Sequence, residues 1–382
     1  MLDEDASVFT LLTPEGRSAV ATLKVFAQKL PQRLDPLFQP ASGKPFLEST
    51  DRGVIYGKWQ GGEDLVVCPD ADLRTAEIHC HGGSAAIAAI VSSLKSVGFI
   101  KATPYQIECL TSESHWAGEI NRALAGAVTR KTAKLILRQR ELLPQVIQRL
   151  RELITTGDTA GALETVNAMT ARAKFGNHLV LPRTVVLCGA PNAGKSSLIN
   201  AMAGFRRAIV HETPGTTRDV ITQQTAIEGW PVELKDTAGL RAGAGEIESA
   251  GIKLAENAIR KADAVIAVID SSRLVDGQLS GKHRRMIQNV EPHLIALNKI
   301  DLSDIELEAV KQEGVSAIPV VRTSATHDTG IKELLKSTAD ILVPEVPGDG
   351  EAYAVTPRLN RRLGAIADFL RDGKSSRAME LL

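Results

Sequence analysis

Gly189-Ala190-Pro191-Asn192-Ala193-Gly194-Lys195-Ser196 decides the fold. Before it runs Thr184-Val185-Val186-Leu187-Cys188, an apolar stretch that reads as a buried strand. After it comes Ser197-Leu198-Ile199-Asn200-Ala201-Met202, which reads as a helix. Strand, glycine-rich loop and helix in that order make a phosphate cradle. Gly189 and Gly194 let successive N–H groups turn inward toward an anion. Lys195 brings a charge to the outer phosphates, and the Ser196 hydroxyl is placed to ligate Mg²⁺. The helix start adds the positive end of its dipole. Asn192, Ala193, Gly194, Lys195, Ser196 and Ser197 are the candidate phosphate contacts, and the ligand they imply is a nucleoside triphosphate.

The base is specified farther along. The short apolar strand Ile295-Ala296-Leu297 leads into Asn298-Lys299-Ile300-Asp301. A carboxylate at Asp301 accepts from both N1–H and the exocyclic amine of guanine. Adenine offers no N1 donor, so it would leave that carboxylate unpaired, and such a site rejects the wrong base by about 10⁴-fold. Asn298 is expected at the other purine edge and the Lys299 stem over its face. Arg322-Thr323-Ser324-Ala325, after the apolar run Ala317 to Val321, is expected to complete the pocket through Ser324 and Ala325. The ligand is therefore read as GTP.

Between these motifs lie the groups that sense the terminal phosphate. Thr216 and Thr217, in Pro214-Gly215-Thr216-Thr217-Arg218-Asp219, sit where a first switch belongs, with Thr217 a second protein ligand for Mg²⁺. Asp236-Thr237-Ala238-Gly239 ends the strand Pro231 to Lys235. Asp236 can orient a metal-bound water, and the Gly239 N–H can meet the γ-phosphate. Leu240 follows, and a leucine cannot position water.

Composition narrows the remaining classes. The chain has 382 residues, room for two to three domains. Its 45 Lys and Arg balance 45 Asp and Glu, with a sequence pI near 7.1, so no global charge draws it to nucleic acid or anionic lipid. Cys68, Cys80, Cys109 and Cys188 have no paired spacing, which fits free thiols in a cytoplasmic protein. No leader-like start and no apolar run of membrane length is visible, so no membrane partner is expected.

The organisation reads as an α/β chain: a P-loop GTPase domain with a mostly parallel sheet, inserted in an all-α domain and preceded by a small α+β domain. Residues 1–116 show strand-like runs at Ser7 to Leu12, Ala19 to Phe26, Val54 to Trp59 and Ala76 to Cys80, and a helix from Ser84 to Val97. Residues 117–182 are helical, with Leu142, Leu143, Val146, Ile147, Leu150, Leu153 and Ile154 spaced as one face, starting just before Pro144. Gly176 to Pro182 is expected as a link into the GTPase domain, 183–345. Residues 346–382 open with a linker and then carry an amphipathic helix, Val355 to Leu370, that cannot bury its stripe alone. Packing on the earlier helices would solve that. Arg130, Lys134 and Arg138, beside Lys131 and Arg140, form a stripe free of acids that is either a solvated face or a seat for RNA phosphates. Strand alternation splits His79 and His81 from Cys80, which favours turn residues over a metal site.

Taken together, these motifs resemble the tRNA-modification GTPase family (MnmE, or TrmE). Asn192 in the loop, Gly215 to Asp219 and Asp236-Thr237-Ala238-Gly239-Leu240-Arg241 carry the likeness in the GTPase domain. Thr13-Pro14-Glu15-Gly16-Arg17 and Glu77-Ile78-His79-Cys80-His81-Gly82-Gly83 carry it in the first domain. The resemblance implies a K⁺-stimulated GTPase, acting on the tRNA wobble uridine with a flavoprotein partner. It also implies a homodimer built on a folate-binding N-terminal domain. Asn192 would hold K⁺ with the loop carbonyls of His211, Thr213 and Thr216, the ion taking the place of an arginine finger. Glu248 would orient the attacking water, although at that position a helix-start carboxylate is an alternative. Lys24 stands where a folate-contacting arginine would fall, with Glu77 its partner acid. The family's C-x-G-K motif is not matched, the last cysteine being Cys188, and its F-T-x-R-A-F segment is reduced to Ile120-Asn121-Arg122-Ala123-Leu124. A GTP-dependent switch binding RNA or protein is the alternative reading.

Overall fold

The computed structural model describes residues 6–14, 18–112, 115–204, 222–237, 246–274, 278–303, 315 and 317–382. Contacts divide the chain into two compact units, Met1–Arg122 and Ala123–Leu382.

The first unit is a seven-stranded sheet with helices. Its elements are β1 (Val8–Leu11), β2 (Val20–Phe26), α1 (Leu30–Leu34), β3 (Phe38–Pro40), β4 (Ile55–Trp59) and β5 (Asp64–Pro69). They continue with β6 (Thr75–His81), α2 (Ser84–Ser96), β7 (Ile100–Lys101), α3 (Pro104–Thr111) and α4 (His115–Ala125), which reaches the unit boundary. The strand order is β3-β4-β5-β6-β2-β1-β7, antiparallel except where β7 lies parallel to β1. Period-two alternation sorts the faces: Leu23, Val25, Val67 and Ile78 enter one core with Ile90 and Leu94 of α2. Strands β3, β5 and β7 are absent from the sequence expectation. Strands β3 and β7 are only three and two residues long, and β5 is a short continuous apolar run, Leu65-Val66-Val67-Cys68, without alternation to mark it; pairing with neighbours supplies the order.

The second unit begins with helices α5 (Arg130–Thr155), α6 (Thr159–Ala171) and α7 (Ala173–His178). The mostly parallel sheet follows: β8 (Arg183–Gly189), α8 (Lys195–Gly204), β9 (Thr222–Ile227), β10 (Trp230–Asp236), α9 (Glu246–Lys261), β11 (Ala264–Asp270), α10 (Gly281–Val290), β12 (Leu294–Asn298), β13 (Val320–Thr323) and α11 (Ile331–Leu342). Helices α12 (Pro357–Arg371) and α13 (Ser375–Glu380) close the chain. The sheet order is β13-β12-β11-β8-β10-β9, parallel but for the β9–β10 hairpin. Every residue of β11 and β12 is buried, the signature of central parallel strands covered on both faces. That fold class is the expected one. Among the described residues no helix is long and apolar enough to cross a membrane.

Several local expectations are corrected. Helix α5 starts at Arg130 and runs through Pro144, because Thr132, Ile136 and Gln139 extend the buried face upstream of the leucines. Gln139 escaped the apolar pattern since it is polar. Both ends of its amide are engaged, Nε2 donating to the Glu351 carbonyl (3.1 Å) and Oε1 accepting from the Tyr353 N–H (3.0 Å). The segment after Gly176 is not a plain link, since α7 continues to His178. Strand β13 covers Val320–Thr323, the end of the apolar run Ala317 to Val321 and the two residues after it. The stripe on α5 is also less free than its sequence suggests. Lys131 Nζ donates to Glu228 O (3.2 Å) and lies 4.0 Å from the centre of the Trp230 ring, while Arg138 pairs with Asp349.

Helix α12 packs against α6 and α7, so the chain segments before and after the mostly parallel sheet form one helical layer. Leu359, Leu363, Ile366 and Leu370 supply its buried stripe. The far turn of the β9–β10 hairpin is held by this layer. Thr129 Oγ1 donates to Gly229 O at 2.7 Å, and Trp230 is flanked by Phe175 and His178, ring centres 5.8 Å away in each case.

Candidate nucleotide-binding site

At the phosphate end, β8 delivers its loop at the C-terminal edge of the sheet, where open α/β sheets bind ligands. Asn192 takes a left-handed backbone (φ 61°), which Asn tolerates better than most residues. Gly194 has φ 94°, and a Cβ there would fall 2.2 Å from Asn298 Nδ2. Only glycine fits, and the reason is contact with the base-recognition loop as well as turning toward an anion. Lys195, 5% exposed, donates through Nζ to the carbonyls of Gly189 (3.2 Å) and Ala190 (3.0 Å). Those contacts keep its ammonium at the loop. Ser196 Oγ donates to Asp236 Oδ2 at 2.5 Å, and Asp236 is wholly buried at the end of β10. Strands β8 and β10 make that meeting possible by running parallel, with Asp236 opposite Leu187. Thr237 is anchored by its N–H and hydroxyl, both donating to Leu187 O. Ala193 is buried and Ser197 is exposed on the first turn of α8.

At the base end, β11 and β12 carry Asp270 and Asn298 side by side in parallel register. Asn298 is 2% exposed. Its Nδ2 donates to Ala193 O (3.0 Å) and its Oδ1 accepts from Thr323 (3.3 Å). To the expected purine contact the structure thus adds a tie between the two ends of the site. Lys299 is left-handed (φ 64°), with its carbonyl accepting from Ser271 Oγ at 2.9 Å and its ammonium 2.8 Å from Asp270 Oδ2. The Ser324 hydroxyl, chiefly, holds the Asp301 carboxyl below the usual carboxylate range, with smaller help from His327 and Lys299. An ionised Asp301 keeps both oxygens as acceptors, which is what guanine requires. Ser324 is buried and bridges to Thr329, with Ala325 beside it on the same turn.

Sequence reasoning missed Asp270, Ser271, Thr323 and His327. Asp270 ends an apolar strand, as Asp236 does, and that position was the available signal.

Thr216, Thr217, His211, Thr213, Ala238 and Gly239 lie outside the described residues. Glu248 falls in the first turn of α9, and its side chain is likewise outside the description. In the first unit, Lys24 and Glu77 stand directly opposite each other on β2 and β6, both half-buried, on the face opposite Leu23 and Ile78. Glu77 lies 3.6 Å from His79, whose Nδ1 meets Thr22 at 3.0 Å, while His81 bonds Glu63. Among the described residues no cluster of His, Cys, Asp and Glu is arranged to hold a metal.

Residues 184–299 match the family described as 50S ribosome-binding GTPase. Along most of its length the chain is similar to the tRNA modification GTPase MnmE of Carboxydothermus hydrogenoformans, 30% identical over 92% of this chain and 85% of that protein. The protein of the same name from Geobacillus kaustophilus is 29% identical over 89% of this chain and 82% of its own length. Among solved structures, the G domain of the T. maritima FeoB iron transporter covers 43% of this chain at 24% identity with a TM-score of 0.32, a likeness too low to add to the fold described above.

Proposed function

The chain belongs to the tRNA modification GTPase MnmE family and hydrolyses GTP, and from that premise we propose that the hydrolysis serves modification of the tRNA wobble uridine and is stimulated by K⁺. The observation that carries the chemistry is Ser196 Oγ at 2.5 Å from Asp236 Oδ2 beside the phosphate loop. Two hard oxygen donors in that place fit Mg²⁺, and Ser196 and Asp236 would hold it, with Thr217 as a further ligand. Bound there, the ion neutralises charge on the phosphate oxygens.

The chain's own groups do the rest. Asp301 and Ser324 select guanine, and the backbone from Asn192 to Ser196 wraps the phosphates. Lys195 moves from its own loop carbonyls to the outer phosphate oxygens, exchanging two neutral acceptors for charged ones. Glu248 orients the attacking water, a role supported by its place at the start of α9 just after the Asp236 motif. Asn192, left-handed at the rim of the loop, is a K⁺ ligand together with His211, Thr213 and Thr216. The opposed pair Lys24 and Glu77 is the proposed folate seat, in a unit that pairs two copies of the chain. tRNA and a flavoprotein are the proposed partners.

Turnover of GTP in KCl against NaCl tests the K⁺ role directly. Faster hydrolysis in KCl is expected, and equal rates would remove Asn192 from that role. Glu248→Ala should keep GTP affinity while turnover drops about 10²-fold. A parallel loss of both would show Glu248 to be structural. Nucleoside analysis of tRNA incubated with the protein, GTP and the flavoprotein should reveal the modified uridine. Unmodified tRNA would leave a GTP-dependent switch.

A further inference from the structure

Lys299 is held from two sides before any base arrives. Its left-handed backbone (φ 64°) is a costly conformation for a residue with a long side chain. Ser271 Oγ donates to its carbonyl at 2.9 Å, and Ser303 Oγ in turn donates to Ser271 Oγ at 2.7 Å. At the other end of the residue the ammonium meets Asp270 Oδ2 at 2.8 Å. Asp270 is 4% exposed, and its second oxygen accepts from Ser272 N (3.1 Å) and Ser272 Oγ (2.6 Å). Those two bonds aim Oδ2 at Lys299. Arg273 Nε also lies 3.6 Å from the same oxygen.

An aspartate so deeply buried and so oriented does more than join two loops. The Lys299 stem is the surface expected over the face of guanine, and its course is set by where its ammonium is tied. We propose that Asp270 is a positioning residue for guanine-nucleotide binding, acting through Lys299. It rests on the reading of GTP as the ligand. With Asp270 in place the stem is already laid along the base site, so binding costs little side-chain ordering. Without it, the ammonium is released to solvent and the stem samples other rotamers.

A double-mutant cycle on GDP affinity tests this. Asp270→Asn keeps the shape and the Ser272 contacts, and is expected to weaken GDP about tenfold, mostly through faster release. In a Lys299→Ala background the same change should cost less than about twofold, because the group it acts through is gone. KM for GTP should rise with kcat unchanged, and Asp270→Glu should restore part of the loss. If Asp270→Asn does not fold, Ser272→Ala, which removes one of the bonds that aim Asp270 at the Lys299 ammonium, reads the same coupling by the same cycle. Additive effects in the cycle, or GDP affinity equal to the parent's, would overturn the inference. Failure of the parent protein to bind GDP would instead count against the ligand assignment itself.

Discussion

The two ends of the nucleotide site are built differently. At the base end every group is fastened by the fold: Asn298 to Ala193 and Thr323, Lys299 to Asp270 and Ser271, Asp301 to Ser324. At the phosphate end the polar side chains rest on the backbone of their own loop or on one another. Lys195 rests on its own loop and Ser196 on Asp236. Recognition needs a fixed template, since discrimination comes from unpaired groups when the wrong base enters. Chemistry needs partners that can be exchanged, because their bonds must pass to phosphate and metal. A preformed base seat beside an exchangeable phosphate seat fits binding first and turnover second.

Changing the base end should give the largest effect. Asp301→Asn replaces two acceptors by an acceptor and a donor, so GTP affinity should drop about 10³-fold or more. Xanthosine triphosphate, with a carbonyl where guanine has its amine, should gain. Competition binding with the two nucleotides reads this, and unchanged preference would mean that Asp301 does not face the base. Ser196→Ala probes the phosphate end. Turnover should decrease about 10²-fold while preference for guanine over adenine stays, since the altered oxygen touches no base. Loss of base preference in that variant would erase the distinction between the ends.

Gly194→Ala strikes the point where the ends meet. The added Cβ overlaps Asn298 Nδ2 and the backbone is left-handed, so stability should fall by about 2 kcal/mol and both recognition and turnover should suffer together. Thermal melts and GDP binding check it.

The smallest effect is a pH dependence at the strap on the β9–β10 hairpin, which carries Asp236 at its other end. Burial pushes the His178 imidazole down to about 4, with Arg183 adding to the effect. The unfolded chain therefore takes up this proton first. The contribution is nearly complete above about pH 6.5 and is lost as pH falls toward 4, the loss amounting to roughly 1 to 2 kcal/mol by pH 5.5. Hydrogen exchange should rise in β9 and β10 before β11 and β12 over that window. His178→Phe should flatten the slope, and an unaltered slope would place the proton elsewhere.

Short motifs were legible because their chemistry is local. A glycine at a forced turn, a lysine behind it and a carboxylate after a strand keep their meaning wherever the sheet lies. Apolar strands were legible for the same reason: β8 is built on Val185-Val186-Leu187-Cys188 and β12 on Ile295-Ala296-Leu297, whereas β11, Ala264–Asp270, went unread although six of its seven residues are Ala, Val or Ile. Strand β3 was not, since three residues carry no pattern, nor was β5, whose short run Leu65-Val66-Val67-Cys68 shows no alternation and gains its order from β4 and β6. Asp270 is marked in the sequence only by its place at the end of an apolar strand, since nothing in Ile269-Asp270-Ser271 shows what lies opposite in the next strand.

By itself the sequence determined the ligand and the fold class, through residues whose geometry is set within a few positions of chain. Tertiary structure alone decided which groups are tied to which. It joined Asn298 to Ala193, Asp270 to Lys299, Gln139 to the segment before α12 and Trp230 to the helical layer. Those pairings span many residues and cost loop closure, so the packed core selects them rather than any local preference.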